Sequence, residues 1–460
     1  MRTIHGAVAA LCGTILMAGS MTAMADSTDE IVSALVNKGI LTEEEGQQLL
    51  QGHEQEQKSQ KSGGRLTISE FIDNATVYGD IRVRGERRDG ENAAGADGTR
   101  DRARYKLTFG IKTKANDFYT DLALAMGAGG RSDNATFAGD SNFNSLNDKE
   151  SLFVKRAMIG WNVTDWLNLE AGRINNPLYT TSMVWDGDLT FEGLAEKAKF
   201  KVGNADVFLT AAQSSYIGDH KRYDGSGDRS TAELLAFQAG ARFPVTDAVS
   251  AKAAITYTTY LHDQNRNTGV FSPASDTASA AAAAARSIGI NDLDTIEVPF
   301  EVNWMAASTI GFRVFGDYVN NLSGNDRADA ACAVDATVCG AGSDHDGWML
   351  GIGIGSAKDL AAFESNKMKK GDWNAKLWYQ NVGAYAVDAN AVDSDFFDSR
   401  VNMEGIVLKT QYNVRDNVFV NFSAGHGERK DGRLGTAGAG DLPFNLEKYN
   451  LYQLDLTYAF

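Results

Sequence analysis

The chain of 460 residues carries 47 glycines against 5 prolines, 10% aromatic residues and a formal charge of −16. Its mean hydropathy is −0.29, and beyond the amino-terminal segment it has none of the runs of about 20 apolar residues that a helical membrane protein needs. The acidity argues against nucleic acid as a partner, because phosphate binding needs a basic face.

Glycine-rich, proline-poor composition suits a closed sheet, where proline removes ladder donors and glycine marks bends. The first 25 residues read as a cleaved export signal: Arg2 and His5 supply a short polar start, and Ala7 to Ala18 an apolar stretch too short to span a bilayer. Ala23-Met24-Ala25 is an A-x-A cleavage site, which makes Asp26 the first mature residue. Cys12 lies inside the apolar stretch, away from any lipidation point, and its removal leaves Cys332 and Cys339. An even pair in an oxidising compartment is expected to form one disulfide in a surface loop. A metal site would need more ligands than His345 adds.

Residues 26–64 form a polar leader. Ser27 with Glu30 and Thr42 with Glu45 match two capping boxes, Ile31, Leu35, Val36, Leu49 and Leu50 give an apolar stripe, and Gln51 to Lys61 is strongly polar. The pattern predicts a periplasmic helical pair or coiled coil, with three-strand association as one use; a flexible leader is the plainer reading.

From about Ala75 the period becomes two. Val77, Gly79, Ile81 and Val83 share one face, and Tyr78, Asp80, Arg82, Arg84 and Glu86 share the other. The next segment repeats this, with Tyr105, Leu107, Phe109 and Ile111 against Arg104, Lys106, Thr108 and Lys112. Such strands suit a membrane barrel with lipid on one face and water on the other. About sixteen strands of this kind are expected from residue 65 to residue 460, centred near residues 81, 108, 122, 157, 169, 198, 209, 238, 255, 301, 313, 351, 377, 406, 421 and 454. The fold class is therefore an all-β, antiparallel, up-and-down transmembrane barrel.

Short turns at Ala115-Asn116-Asp117, Thr164-Asp165, Gly203-Asn204, Thr246-Asp247 and Arg415-Asp416-Asn417 alternate with long connections. The long ones are Asp89–Arg100, Gly129–Glu150, Asn175–Glu192, Ser215–Ser230, His262–Ile290, Asn320–Asp344, Ala386–Ser399 and Gly427–Leu446. Turns at one end and loops at the other characterise outer-membrane barrels. Two features disturb the alternation: Lys358–Lys370 is long for a turn, and Pro299 inside a strand predicts a bulge. In the last strand Tyr452, Leu454, Leu456, Tyr458 and Phe460 alternate with Gln453, Asp455 and Thr457. Ending on an aromatic carboxyl terminus resembles the assembly signal of bacterial outer-membrane proteins.

The mature chain resembles the putative porins of Gram-negative bacteria that carry a helical leader, and more distantly the phosphate-selective porins. Leu35-Val-Asn-Lys-Gly-Ile-Leu-Thr-Glu-Glu44, Val77-Tyr-Gly-Asp-Ile-Arg82, Gly172-Arg-Ile-Asn-Asn-Pro177 and Trp185-Asp-Gly-Asp-Leu-Thr-Phe-Glu-Gly193 carry the likeness. The resemblance implies a channel, often trimeric. The lysine-rich anion site of the phosphate-selective members has no matching cluster along this sequence.

Selectivity in such a channel follows from pore radius and the charges at its narrowest point. The basic candidates are Arg82, Arg84, Arg104, Lys106, Arg156, Lys197, Lys199, Lys201, Arg242, Arg313 and Lys376; Asp80, Glu86, Glu170 and Asp317 are acidic ones. Asn175–Glu192 follows the fifth strand and is the favoured in-folded loop, with Tyr179, Trp185 and Phe191 packing on the wall beside Asp186, Asp188 and Glu192. Its rival is His262–Ile290, where Ala280 to Ala285 predicts a short helix. Fold alone does not decide function, but the five mature histidines (His53, His220, His262, His345 and His426) sit in no recognisable catalytic or metal motif, and no cofactor is implied. Asp344-His-Asp-Gly347 and Asp393-Ser-Asp395 could offer calcium ligands, though acidic loops are usually just solvated. The leader is too short for a transporter plug and too polar for a fatty-acid hatch. A barrel that tethers the outer membrane to the cell wall is the alternative.

Overall fold

The computed structural model describes residues 72–127, 132–138, 150–217, 232–262, 265–273, 288–438, 440–442 and 445–460. The signal, the leader and the alanine run Ala280 to Ala285 lie outside them.

Sixteen antiparallel strands close into a barrel. In chain order they are β1 Asn74–Glu91, β2 Asp97–Ala115, β3 Phe118–Gly127, β4 Ser151–Asn162, β5 Leu167–Asn175, β6 Thr190–Val202, β7 Ala205–Ile217 and β8 Ala232–Thr246. There follow β9 Val249–Leu261, β10 in two pieces (Thr295–Glu297 and Phe300–Ala307), β11 Ile310–Asn321, β12 Asp346–Ser356, β13 Trp373–Val382, β14 Met403–Arg415, β15 Val418–Arg429 and β16 Lys448–Ala459. Each strand pairs with its sequence neighbours. β1 closes on β16 over Asp80↔Ala459 to Glu91↔Lys448, and Gly79 and Phe460 exchange backbone hydrogen bonds of 3.0 Å. Gly79 has to be glycine: a Cβ there would stand 2.2 Å from the Thr108 carbonyl oxygen and 2.7 Å from the Phe460 ring.

The two-residue rhythm sets the faces. Val77, Ile81 and Val83 on β1 and Tyr452, Leu454, Leu456 and Tyr458 on β16 are exposed outward, while Gln453, Asp455 and Thr457 between them are buried. Outward aromatic pairs, Phe118 stacked on Trp161 at the short-turn end and Trp348 tilted against Tyr379 toward the long-loop end, lie at the two rims. Apolar bands flanked by aromatic girdles are what lipid requires of a spanning barrel. The chain is a transmembrane β-barrel.

Three expectations change. Asp89–Arg100 is no long loop: β1 and β2 continue to Glu91 and Asp97, and Asn92 turns the hairpin by accepting from the amides of Ala94 and Ala96 at 3.0 and 2.8 Å. Those strand ends are charged on both faces, so no apolar alternation betrays them. Pro299 makes no bulge. The register runs unbroken past it, Ala253↔Phe300 and Thr256↔Glu297 on one side, Gly316↔Phe300 and Val319↔Glu297 on the other. Proline keeps its acceptor, taking the Ala254 amide at 3.1 Å, and loses only the returning bond. Finally, the inner face is not polar throughout. At the long-loop end Val319, Met349, Trp378, Val407, Tyr449 and Leu451 from the strands form an apolar core with Tyr385, Val387, Phe396, Phe397, Leu434 and Leu442 from the loops. Loops that fold inward need a core to hold them, and this one is inside the barrel.

Two helices lie in the connections. α1 Gly324–Val334 follows β11, and Cys332 and Cys339 are disulfide-bonded at its end, as the sequence suggested. α2 Leu360–Ser365 follows β12 at the short-turn end, capped by Asp359, whose carboxylate accepts the Ala362 amide at 2.8 Å.

Candidate functional site

The connection from Gly383 to Asn402, between β13 and β14, is almost wholly buried. Its two ends of interest are seven positions apart. Asp388 accepts from the hydroxyls of Tyr216 on β7 and Tyr260 on β9 at 2.7 and 3.2 Å. Asp395 accepts from Arg84 and Arg88 on β1 at 3.1 and 3.3 Å and from Gln453 on β16 at 2.9 Å. In a closed ring of sixteen, β8 stands opposite β16, so these anchors lie on facing walls. A turn at Asp388 to Ala391, closed by the Ala391 amide on the Asp388 carbonyl at 2.9 Å, keeps the segment compact, and the long side chains of Tyr216, Tyr260, Arg84 and Arg88 reach inward to hold it between the walls as a strap.

The strap is held in a strained form. Phe397, Asp398 and Ser399 have φ of 55°, 58° and 56°, three consecutive residues in a region that costs L-amino acids about 1–2 kcal/mol each. Asp398 offsets this from full burial: it accepts from the amides of Asp441 and Leu442 at 2.8 and 3.0 Å and pairs with Arg88 at 3.0 Å.

A second segment, Asn176 to Leu189, braces the first. Gln238 on β8 exchanges bonds with the Tyr179 backbone at 2.9 and 2.8 Å, and Thr180 and Thr181 donate to Glu297 and Asp317 at 2.5 Å each. The segment then meets the strap. The Asp186 amide donates to the Ala391 carbonyl at 2.7 Å, and the Ser394 amide returns a bond to the Asp186 carboxylate at 3.0 Å. Carboxylates therefore collect at this junction. Burial pushes Asp393 up to about 7, with Asp395 and Asp186 adding to the shift and Lys409, 3.8 Å away, opposing it. Asp186 is raised by burial and by Asp188. Burial would raise Asp395 too, but Arg84 and Arg88 outweigh it and hold that carboxyl well below the usual range.

Two walls flank the strap. On β1, β2 and β16 the cations beside the strap are matched by carboxylates: Arg84 forks onto Asp455 at 2.7 and 2.9 Å, Arg88 and Arg102 hold Glu86 at 3.2 and 2.5 Å, and both reach Asp441. On β8 to β14 the cations are sparsely matched. The register sets Asn303, Arg313, Gly353, Lys376, Lys409 and Ser423 side by side across six strands. Lys252 lies over the Tyr179 ring at 3.6 Å, a cation–π distance. Neither Lys252 nor Lys376 has an ion pair with a described carboxylate. This is the basic cluster the linear sequence did not display.

Each sequence candidate can now be located. Arg82 reaches Asp455 at 3.7 Å and Asn134. Arg84 anchors the strap, and Arg104 is spent on Ser132 and the Asn134 carbonyl at 2.9 and 3.2 Å. Lys106 faces Asp80 at 3.7 Å, Arg156 joins Asp121 at 2.9 Å and Tyr78, and Lys197 pairs with Glu170. Lys199 is open, while Lys201 pairs with Asp206 at 3.2 Å near the short-turn rim. Arg242 meets Glu364 at 2.5 Å, and Arg313 meets Asn303 at 2.5 Å and Glu301 at 3.9 Å. Asp186 and Asp188 sit at the tip of the bracing segment. Glu192 is a correction: it pairs with Arg173 beside the exposed Leu194, on the outer face, because its strand has begun and its parity points it away from the buried Phe191. Sequence reading missed Asp388, Asp395 and Asp398 as anchors and Lys252 and Lys409 as wall charges. Period-two alternation around Leu408 could have found Lys409; nothing local marks the anchors. Asp395 of Asp393-Ser-Asp395 is bound by Arg84, Arg88 and Gln453, and Asp393 lies by Lys409.

A closed barrel with an apolar outer belt defines a transmembrane β-barrel. Residues 91–287 match the family model described as putative porin, in keeping with the resemblance drawn from the sequence. No curated protein matches the chain. Similar solved structures include the following two. One is the outer membrane channel DcaP of Acinetobacter baumannii, at 12% identity and TM-score 0.43, covering 85% of this chain and 99% of that one. The other is Pseudomonas putida OprB at high pH, at 10% identity and TM-score 0.46, covering 84% and 94%.

Proposed function

We propose that the chain is a porin: a water-filled passage through the bacterial outer membrane for passive diffusion of small hydrophilic solutes and ions. The observation that carries this reading is the strap itself. A barrel that serves only as an anchor has no use for a segment strung between facing walls, strained in backbone and bordered on one side by loosely paired cations. The strap and its brace form the constriction, and the row through Lys252, Arg313, Lys376 and Lys409 faces the solute. Carboxylates on the strap opposite cations on the wall set up a transverse field that favours polar and charged solutes. No catalytic group or cofactor is needed.

On the same reading, the signal is cleaved near Ala25, residues 26–64 stand in the periplasm as a helical or coiled-coil leader, and three copies assemble. Outer-membrane lipid is the partner of the apolar belt. The long loops then face outward from the cell and the short turns face the periplasm. Purified protein in planar bilayers should give stepwise conductance, and its reversal potential in a salt gradient should fall on the anion side. An intact barrel that passes no current would sink the channel and favour the tether.

A further inference from the structure

We propose that α2 is a second charge filter at the periplasmic mouth, and that Glu364 sets it. The inference rests on the channel reading and adds an exit that discriminates separately from the strap.

The connection that carries α2 runs from Ala357 to Asp372, whereas its neighbours at this end need only a few residues, such as Asn116-Asp117, Gly203-Asn204 and Asp416-Asn417. Extra length in a hairpin connection calls for a use. Here the extra chain folds inward. Phe363 lies against Gly311 on β11, where a Cβ would stand 2.6 Å from its ring, and the Arg313 guanidinium sits over the same ring at 5.3 Å. One residue on, Glu364 accepts from Arg242 on β8 at 2.5 Å and from Ser250 on β9. The helix leaves the barrel between β12 and β13, so these partners lie three to five strands away. It reaches over part of the mouth and carries a carboxylate to the wall formed by β8 and β9.

The position of that carboxylate matters. Glu364 ends the inner row of Lys252, Arg313 and Lys376, and its side chain keeps 16% exposure. Arg242 holds that carboxylate, so the pair adds no net charge at this mouth and Glu364 acts by covering one cation at the end of the basic row. Uncovering Arg242 would leave a fixed positive charge there, and fixed charge of one sign at one mouth concentrates its counter-ions and makes current depend on the direction of the field. The effect is strongest where the screening length is about 10 Å, at about 0.1 M salt, and fades where it is about 3 Å, at about 1 M.

The test uses the full-length protein in planar bilayers. Glu364→Gln should bring in a rectification absent from wild type at low salt and lost at high salt, and should move the permeability ratio toward anions by about two-fold, the effect of one charge at about 8 Å in water. Glu364→Cys separates charge from packing, because Cys332 and Cys339 are already bonded to each other. An anionic methanethiosulfonate adduct should restore the wild-type curve, and a cationic one should enlarge the asymmetry. Conducting protein whose curve ignores both adducts and the Gln variant overturns the filter and leaves the channel standing. Protein that passes no current at all overturns the channel reading beneath it.

Discussion

The two charged walls of the interior contain similar residues and do different work. On β1, β2 and β16, Arg84, Arg88 and Arg102 are enclosed by Glu86, Asp455 and the carboxylates of Asp395, Asp398 and Asp441. On β9 to β14, Lys252 rests on an aromatic ring and Lys376 has no ion pair among the described residues. The first wall clamps the strap, while the second, on the channel proposed above, is left to the solute. A cation on the inner face of a barrel is thus not yet a selectivity residue; what decides is whether a carboxylate already holds it.

The largest effect expected from this contrast lies in the clamp. Arg88 is 2% exposed and serves Glu86, Asp395, Asp398 and Asp441 together. Arg88→Ala strips several buried carboxylates of their partner, and removing one member of a buried pair costs about 3–5 kcal/mol. The urea midpoint of the refolded barrel should fall accordingly, and single-channel conductance should rise as the strap loosens. An unchanged midpoint would mean that water already reaches those carboxylates, and the distinction between the walls would fail.

Selectivity should respond on the other wall. Lys376→Glu changes two charge units beside the open row and should move the permeability ratio toward cations by about five-fold. Arg84→Gln changes one unit within the clamp and should leave the ratio near wild type while weakening the strap. Equal shifts from both would show that solute samples both walls alike.

A smaller, pH-dependent effect belongs to the junction between strap and brace. Asp393 is raised to about 7 by burial, with Asp395 and Asp186 adding and Lys409 opposing. A carboxyl raised above its unfolded value of about 4 favours the closed form at low pH and withdraws that support as pH rises through 7. Asp395 is shifted the other way, so its contribution is lost only in strong acid. Between pH 5 and 8, then, acidification should quiet the current noise of the strap and shift preference toward anions. Asp393→Asn should show the low-pH behaviour throughout. A titration that is identical in wild type and variant would place the responsive group elsewhere.

The sequence displayed the barrel far better than its contents. Alternation at Val77, Ile81 and Val83, or at Tyr452, Leu454 and Leu456, is local, repeated and imposed by lipid, so the strand centres could be read one segment at a time. The strap is the reverse case. Ala384 to Val387 and Phe396-Phe397 look like an ordinary apolar loop, because their partners, Met349 and Tyr449 among them, are remote in sequence. The basic row was hidden for a related reason: Arg313, Lys376 and Lys409 become neighbours only through the lateral register. The loop Asn175–Glu192 stands out because its aromatic residues Tyr179 and Trp185 advertise a wall to pack on, and its tip meets the strap at Asp186 and Ala391.

The mildest test concerns the outer shell, where both walls depend on an unbroken ladder. Pro299 faces Ala254 across β9, accepts its amide at 3.1 Å and can return nothing, while Val298 still donates to the Tyr318 carbonyl at 2.7 Å. Because the register is continuous on both sides, alanine can occupy the position without moving the strands and can supply the missing donor. Pro299→Ala should therefore stabilise the barrel slightly, by no more than the about 0.5–1.5 kcal/mol of one hydrogen bond, and the freer unfolded chain offsets part of that gain. Urea unfolding should show a small rise or no change in midpoint, with conductance and selectivity untouched. A clear loss of stability would mean that the proline ring itself fixes the local backbone, and that β10 is two strands joined at a hinge, not one strand short of a single bond.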